Sequence, residues 1–243
     1  MKHAGILAHS AEGASLCFLA FCQAGFSELG PHQHPDVTLD CIAMGHSMSA
    51  WERADYATVR RLLARSTRRL AGAGADFIAC PDNTAHIAME RTGEEFALPA
   101  LHIAEVVTDQ AQRDGRRKIG ILGTRFTMDG PVYPRALGAR DIDYAVPDAD
   151  DRDVVDRIIF DELVNGTFTD AARAAYVEVI DKLRNDGCDA VALVCTEIPL
   201  LIGPDVSPLP TLDSTRLLAR AAFDVAAGRR PMPSWRGGPI HAA

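Results

Sequence analysis

Cys195 stands where the apolar run DAVALVC passes into a turn followed by helix-compatible sequence. At such a place backbone N–H groups and a helix dipole stabilise a thiolate and bring a thiol below its usual value of about 8.5. That makes Cys195 a candidate acid–base residue, against the plainer reading of a buried cysteine filling a core strand. The outline recurs earlier in the chain. GAGADFIAC runs into PDNTAH much as NDGCDAVALVC runs into CTEIPLL, each giving Gly, then Asp, then an apolar strand, then a polar turn. Aligning the turns sets Asp82 against Cys195, Asn83 against Thr196 and Thr84 against Glu197. Parallel α/β sheets bind ligands at the carboxyl ends of their strands. The two turns are therefore expected to face each other across a cleft and to enclose a small molecule between Asp82 and Cys195.

An Asp and a Cys are unequal partners. Their ordinary values of about 3.9 and 8.5 differ by about 4.6 units, or roughly 6 kcal/mol of proton affinity. Burial or a nearby substrate carboxylate narrows the gap by raising the Asp. Without such a rise the pair favours one-sided chemistry, with Cys195 as the acid or base and Asp82 positioning an ammonium or hydroxyl group. The alternative is that Asp82 only caps the helix after it.

The elements that must position these turns follow a βαβ rhythm. HAGIL leads to a helix around Leu16 to Ala24, VTLDCI to an amphipathic helix from Tyr56 to Gly72, and DFIAC to a helix from about Thr84. The rhythm restarts after LPALHIAEV with KIGILG, the helices DVVDRIIFDELVNG and AARAAYVEVIDKLRNDG, and the strand DAVALVC. DSTRLLARAAFDVAAG reads as a helix capped by Asp213 or Ser214 that packs back on the first half. The expected fold class is α/β, with two domains: residues 1–103 plus 213–243, and residues 104–212. The Gly/Pro-rich tail GRRPMPSWRGGPIHAA is expected to be a loose terminus.

Composition excludes several classes of function. The chain has 243 residues, 47% hydrophobic and 24% charged, enough for one large core or two small ones. A net charge of −8 offers no basic face for nucleic acid, and VRRLLARSTRRL alternates with Leu as a solvated helix face does. No apolar run is long enough to span a membrane, and MKHAGILAHSAEG is too short and interrupted for a signal peptide, so a cytoplasmic protein is expected. The six cysteines lack CxxC spacing and are expected to be free thiols. Cys80 reads as a core cysteine. His9, His46, His86 and His102 form no metal-ligand spacing, so no metal is expected. GTRFTM after KIGIL is not a dinucleotide fingerprint.

The stretches ADFIACPDNTAH, LHIAEV, KIGILGTRFTM, DRDVVDRIIFDEL and VCTEIPLLI, in this order, resemble the aspartate/glutamate racemase superfamily, most closely its broad-specificity branch. The resemblance runs from about Gly5 to Ala227. It implies two pseudo-symmetric domains, each a mainly parallel sheet flanked by helices, with the active site in the cleft between them and no cofactor. It also implies a homodimer or higher homo-oligomer. Two residues, usually both cysteines, work on opposite faces of the substrate Cα, one removing the α-proton and the other returning it.

The family motif PCNTAH reads PDNTAH here, placing Asp82 where the first cysteine stands; some members have Thr at that place. By the resemblance Cys195 and Asp82 are catalytic, and Asn83, Thr84, Thr196 and Glu197 hold the substrate carboxylate and amino group. Thr124 and Thr127 are further substrate contacts, while Arg125 suits a surface ion pair better. AHSAEGAS replaces a Gly-Gly-Met type sequence, and MGHSMSAW also departs from the pattern, so His9 and Ser10, and His46 and Ser47, are expected to face an altered pocket. For His9 and His46, ordinary loop histidines are the alternative. The expected activity is racemisation of aspartate, glutamate or a related small carboxylate. The alternatives are an arylmalonate-type decarboxylase, a maleate isomerase, a hydantoin racemase, or a non-catalytic ligand-binding relative.

Overall fold

The computed structural model describes residues 1–240. Over the described residues the chain divides into two compact units, the first comprising Met1–Val106 and residues 215–240, the second Val107–Ser214. The first unit carries β1 (Ala4–Ala8), α1 (Ala11–Leu29), β2 (Val37–Cys41), α2 (Met48–Glu52), α3 (Tyr56–Gly72), β3 (Phe77–Ala79), α4 (Ala85–Met89) and β4 (Ala100–Leu101). α5 (Ile103–Arg113) leads into the second unit. There follow β5 (Lys118–Leu122), α6 (Arg125–Met128), α7 (Val132–Gly138), β6 (Asp143–Ala145), α8 (Ala149–Asp161), α9 (Asp170–Asn185), β7 (Ala190–Leu193), α10 (Ile198–Leu201) and β8 (Thr211–Asp213). α11 (Ser214–Ala226) returns the chain to the first unit.

Each unit is a four-stranded parallel sheet flanked by helices, ordered β2-β1-β3-β4 in the first and β6-β5-β7-β8 in the second. The repeat seen in the sequence is thus a repeat of topology. It extends to single residues. Gly74 and Gly187 both take a positive φ that closes the helix before the strand. Asp76 then accepts from the His3 N–H at 2.8 Å, and Asp189 from the Arg117 N–H at 3.0 Å, each side chain pinning the chain as it enters the central strand.

α3 shows why these residues are helical. Asp55 caps it, accepting from Thr58 N–H at 3.0 Å. Val59, Leu63 and Leu70 recur at helical spacing and are fully buried, which stabilises by about 1.5–3 kcal/mol for each such side chain. Arg61, Arg65, Arg68 and Arg69 lie on the exposed face. Arg60 departs from the expected solvated face. It is buried, its guanidinium donating to the Met89 and Glu94 carbonyls and lying 4.5 Å from the Phe96 ring centroid. The first core gathers Ile6, Phe21, Phe77 and Ile103 with Leu218 and Phe223 of α11, which explains why the final helix returns to this unit. The second gathers Leu122, Tyr176, Ile180, Leu193 and Ile198.

The expectation of a loose tail is corrected over residues 229–240. Ala100 N–H donates to the Trp235 carbonyl at 2.7 Å, Phe96 N–H to the Arg236 carbonyl at 2.9 Å, and Gly238 N–H to the Met89 carbonyl at 2.8 Å. These bonds satisfy backbone groups beside the short edge strand β4, a need that composition does not reveal. The end of the tail, 241–243, lies outside the described residues.

Candidate active site

In the first unit, β1 and β3 are parallel neighbours, with Ile6 opposite Ala79. The turns after them bring His9 and Asp82 together, although 73 residues separate them in sequence: His9 Nδ1 lies 2.8 Å from Asp82 Oδ2. Asp82 Oδ1 accepts from the Ala85 N–H at 2.9 Å, so the carboxylate does cap the α4 turn and also faces His9. The far nitrogen of His9 meets Ser47 Oγ at 2.8 Å. His9 is 3% exposed and the Asp82 side chain 14%. Burial works against a charged His9 ring, but the hydrogen bond to Asp82 and its charge outweigh it and raise the ring above its ordinary 6.5. Burial likewise pushes the Asp82 carboxyl up, and the hydrogen bond and charge of His9, with the Ala85 amide, overcome it and hold the carboxyl below the usual range. This is the opposite of the rise that would match Asp82 to a thiol.

Asn83 is buried and its carbonyl accepts from His86 N–H, while Thr84 precedes α4. His86 is wholly buried. Its Nδ1–H donates to the Asp82 carbonyl at 2.8 Å and its Nε2 accepts from Ile103 N–H at 3.3 Å, which fixes one neutral tautomer. Burial, then the neighbouring His102, lowers this ring to about 3. Cys80 is fully buried, and burial pushes its thiol well above its ordinary value, in keeping with a core cysteine. Ser10 caps α1, accepting from Gly13 N–H at 3.2 Å. His46 is exposed, and it is its neighbour Ser47 that reaches His9.

In the second unit the turn after β7 carries Cys195, Thr196 and Glu197, all buried. The Cys195 thiol donates to Glu197 Oε2 at 3.0 Å, and the Thr196 hydroxyl donates to the same oxygen at 3.0 Å. α10 has only four residues, and a carboxylate that accepts the thiol proton stands beside the sulfur. Thr124 and Thr127 are buried together after β5. Thr124 Oγ1 caps α6 by accepting from Thr127 N–H at 3.3 Å and lies 3.2 Å from Thr127 Oγ1. Arg125 is half exposed and ion-paired with Asp153.

His9 and Ser47 were expected near the pocket without an assigned role; what sequence reasoning missed is the hydrogen-bonded line that joins them to Asp82. The available signal was that the departures at His9 and at Asp82 each end a strand of one predicted parallel sheet, where ligands gather at the carboxyl ends. Among the described residues, no cluster of three or more His, Cys, Asp or Glu side chains is arranged to hold a metal ion, and no helix is long and apolar enough to cross a membrane.

Two units, each a parallel sheet flanked by helices, carry titratable side chains at the carboxyl ends of their strands: His9 and Asp82 in the first, Cys195 and Glu197 in the second. The family of Asp/Glu/hydantoin racemases matches residues 13–222, and the chain belongs to it. It is an isomerase of the racemase class. The chain is 21% identical over 174 residues to the broad specificity amino-acid racemase RacX of Bacillus subtilis strain 168, covering 69% of this chain and 72% of that protein. A Yersinia pestis structure, provisionally described as an Asp/Glu racemase, superposes with a TM-score of 0.81 at 31% identity, covering 93% of this chain and all of that one. PH1733, an aspartate racemase homologue from Pyrococcus horikoshii OT3, shares the fold with a TM-score of 0.76 at 23% identity, covering 93% of this chain and all of that one.

Proposed function

We propose that this protein racemises aspartate, glutamate or a related small carboxylate without a cofactor, with Cys195 and Asp82 acting on opposite faces of the substrate Cα. The observation that carries the reading is the hydrogen bond from the Cys195 thiol to Glu197. It orients the S–H and keeps a carboxylate beside the sulfur, which supports an acid–base role for Cys195. In one direction the Asp82 carboxylate takes the α-proton, the C–H electron pair moves into the substrate as an enolate-like carbanion, and the Cys195 S–H protonates the carbon from the other side. In the reverse direction the Cys195 thiolate left by that step removes the α-proton and becomes the thiol again, hydrogen-bonded to Glu197, and protonated Asp82 returns its proton from the other face. Asn83, Thr84, Thr124, Thr127, Thr196, Ser10 and His46 are the groups we assign to substrate binding. Donors to the substrate carboxylate stabilise the charge that develops on it, one such donor contributing about 3 to 4 kcal/mol.

One observation favours a second reading. Asp82 is held ionised by His9, and a weakly basic carboxylate suits one-sided chemistry in which Cys195 alone protonates a carbanion, as in decarboxylation of a substituted malonate. Chiral chromatography of L- and D-aspartate and glutamate incubated with the protein decides between them. Appearance of the opposite enantiomer supports racemisation. No new enantiomer, with carbon dioxide released from malonates, overturns it in favour of the second reading. We place the enzyme in the cytoplasm, whose reducing conditions suit a catalytic thiol. We further propose a homodimer or larger homo-oligomer, which light scattering of the purified protein tests.

A further inference from the structure

His9 forms part of an ordered line of hydrogen bonds within the first unit. Ala85 N–H donates to Asp82 Oδ1, and Asp82 Oδ2 faces His9 Nδ1 at 2.8 Å. His9 Nε2 faces Ser47 Oγ at 2.8 Å, and the Ser47 hydroxyl lies 2.9 Å from the Met44 carbonyl, which already accepts from the Ser47 N–H. That last bond leaves the hydroxyl a choice. With His9 charged, both ring N–H groups donate, one to Asp82 and one to Ser47 Oγ, while the hydroxyl hydrogen turns to Met44. With His9 neutral, Nδ1–H still donates to Asp82, and the Ser47 hydroxyl turns to donate to Nε2. Both charge states of a ring that is 3% exposed are therefore fully hydrogen-bonded, so neither leaves a buried polar group unsatisfied.

The two states act differently on Asp82. A charged ring stabilises the carboxylate and makes it a weak base. A neutral ring keeps the hydrogen bond that orients it but withdraws the charge, so that burial raises its affinity for a proton. The other titratable groups acting on Asp82 hold one charge across the relevant range. His86 is neutral and Cys80 is a buried thiol.

We propose that His9 is a positioning residue for the proton-transfer chemistry of the first unit: it fixes the Asp82 carboxylate in place and switches its basicity by its own charge, with Ser47 as the hydroxyl that accommodates both states. The catalytic use of this switch rests on the racemase reading; the His9–Asp82–Ser47 line itself does not.

The test has two parts on the full chain. The first is ¹⁵N NMR titration of the histidine rings in the parent protein and in Asp82→Asn. His9 titrates above the ordinary value of about 6.5 in the parent and falls by about one unit or more in Asp82→Asn. A His9 midpoint unmoved by the substitution overturns the coupling. The second part is the pH profile of α-proton exchange from aspartate and glutamate, between about pH 5 and 9. The parent rate rises through the His9 midpoint. His9→Asn, whose amide nitrogen replaces Nδ1 as a donor to Asp82 but does not titrate, loses that limb and stays within about tenfold of the parent at alkaline pH. His9→Gln, which reaches Ser47 rather than Asp82, loses more activity at every pH. An unchanged acidic limb in His9→Asn overturns the switch. A His9 midpoint that shifts in Asp82→Asn, with no exchange by the parent from any amino acid, supports the coupling and overturns only the racemase reading on which its catalytic use depends.

Discussion

The sulfur of Cys195 lies 3.0 Å from Glu197 Oε2, two residues along one turn, and both side chains are buried. A thiol donating to a carboxylate is an acid with its own base at hand. Replacing Glu197 by Gln keeps the shape and an acceptor oxygen but removes the charge beside the thiol. Glu197→Gln is expected to lower kcat by about 10²- to 10⁴-fold with KM changed far less. Steady-state kinetics in both directions checks this, and an unaltered kcat would remove Glu197 from the acid–base machinery.

Asp82 has two roles that separate by substitution. Its Oδ1 caps the α4 turn and its Oδ2 meets His9. Asp82→Asn retains an acceptor for the Ala85 amide, whereas Asp82→Ala loses it at a cost of about 0.5–2 kcal/mol. Urea unfolding should therefore find Asp82→Ala the less stable of the two, while proton exchange should find both inactive. Full exchange activity in Asp82→Asn would make capping the whole function of this residue.

His86 sets a stability window. It is neutral and wholly buried in the folded protein and lowered to about 3, while the unfolded chain takes up its proton near 6.5. Between those values the unfolded state binds more protons. The contribution of His86 is therefore full above about pH 6.5 and is lost as pH falls towards 3, at up to about 1.4 kcal/mol per unit. Unfolding free energies measured at a series of pH values should fall with that sign, and His86→Gln should flatten the slope.

The turn after β5 has no room for a side chain at Gly123. A Cβ there would sit 2.9 Å from the Val194 carbonyl oxygen, which is backbone just past the end of β7 and does not yield. Gly123→Ala is expected to destabilise by about 1–3 kcal/mol and to displace Thr124 beside it. A fully stable variant would show that β5 and β7 separate more easily than this packing implies.

Much of the framework was legible in the sequence because it is written in local patterns. The α3 period, with Leu63 and Leu70 on one face, gave its limits, and the Gly–Asp pairs before β3 and β7 marked the repeat. Cys195 and Glu197 stand in one turn, but their hydrogen bond was not anticipated, because Glu197 was read as an acceptor for a substrate ammonium. β8 (Thr211–Asp213) was missed because three residues are too short to show alternation. The His9–Asp82 pairing was missed because it joins residues 73 apart through the adjacency of β1 and β3, which no window along the chain contains. Arg60 looked solvated because its partners are backbone carbonyls, which composition does not show.

The central claim is that Cys195 transfers the substrate α-proton. Its most direct test is proton NMR of aspartate and glutamate, L and D, in heavy water with the parent protein and with Cys195→Ala. The account predicts loss of the α-proton signal with the parent and its retention with Cys195→Ala. Equal loss of the signal with both proteins, or no loss from any amino acid with the parent, would contradict it.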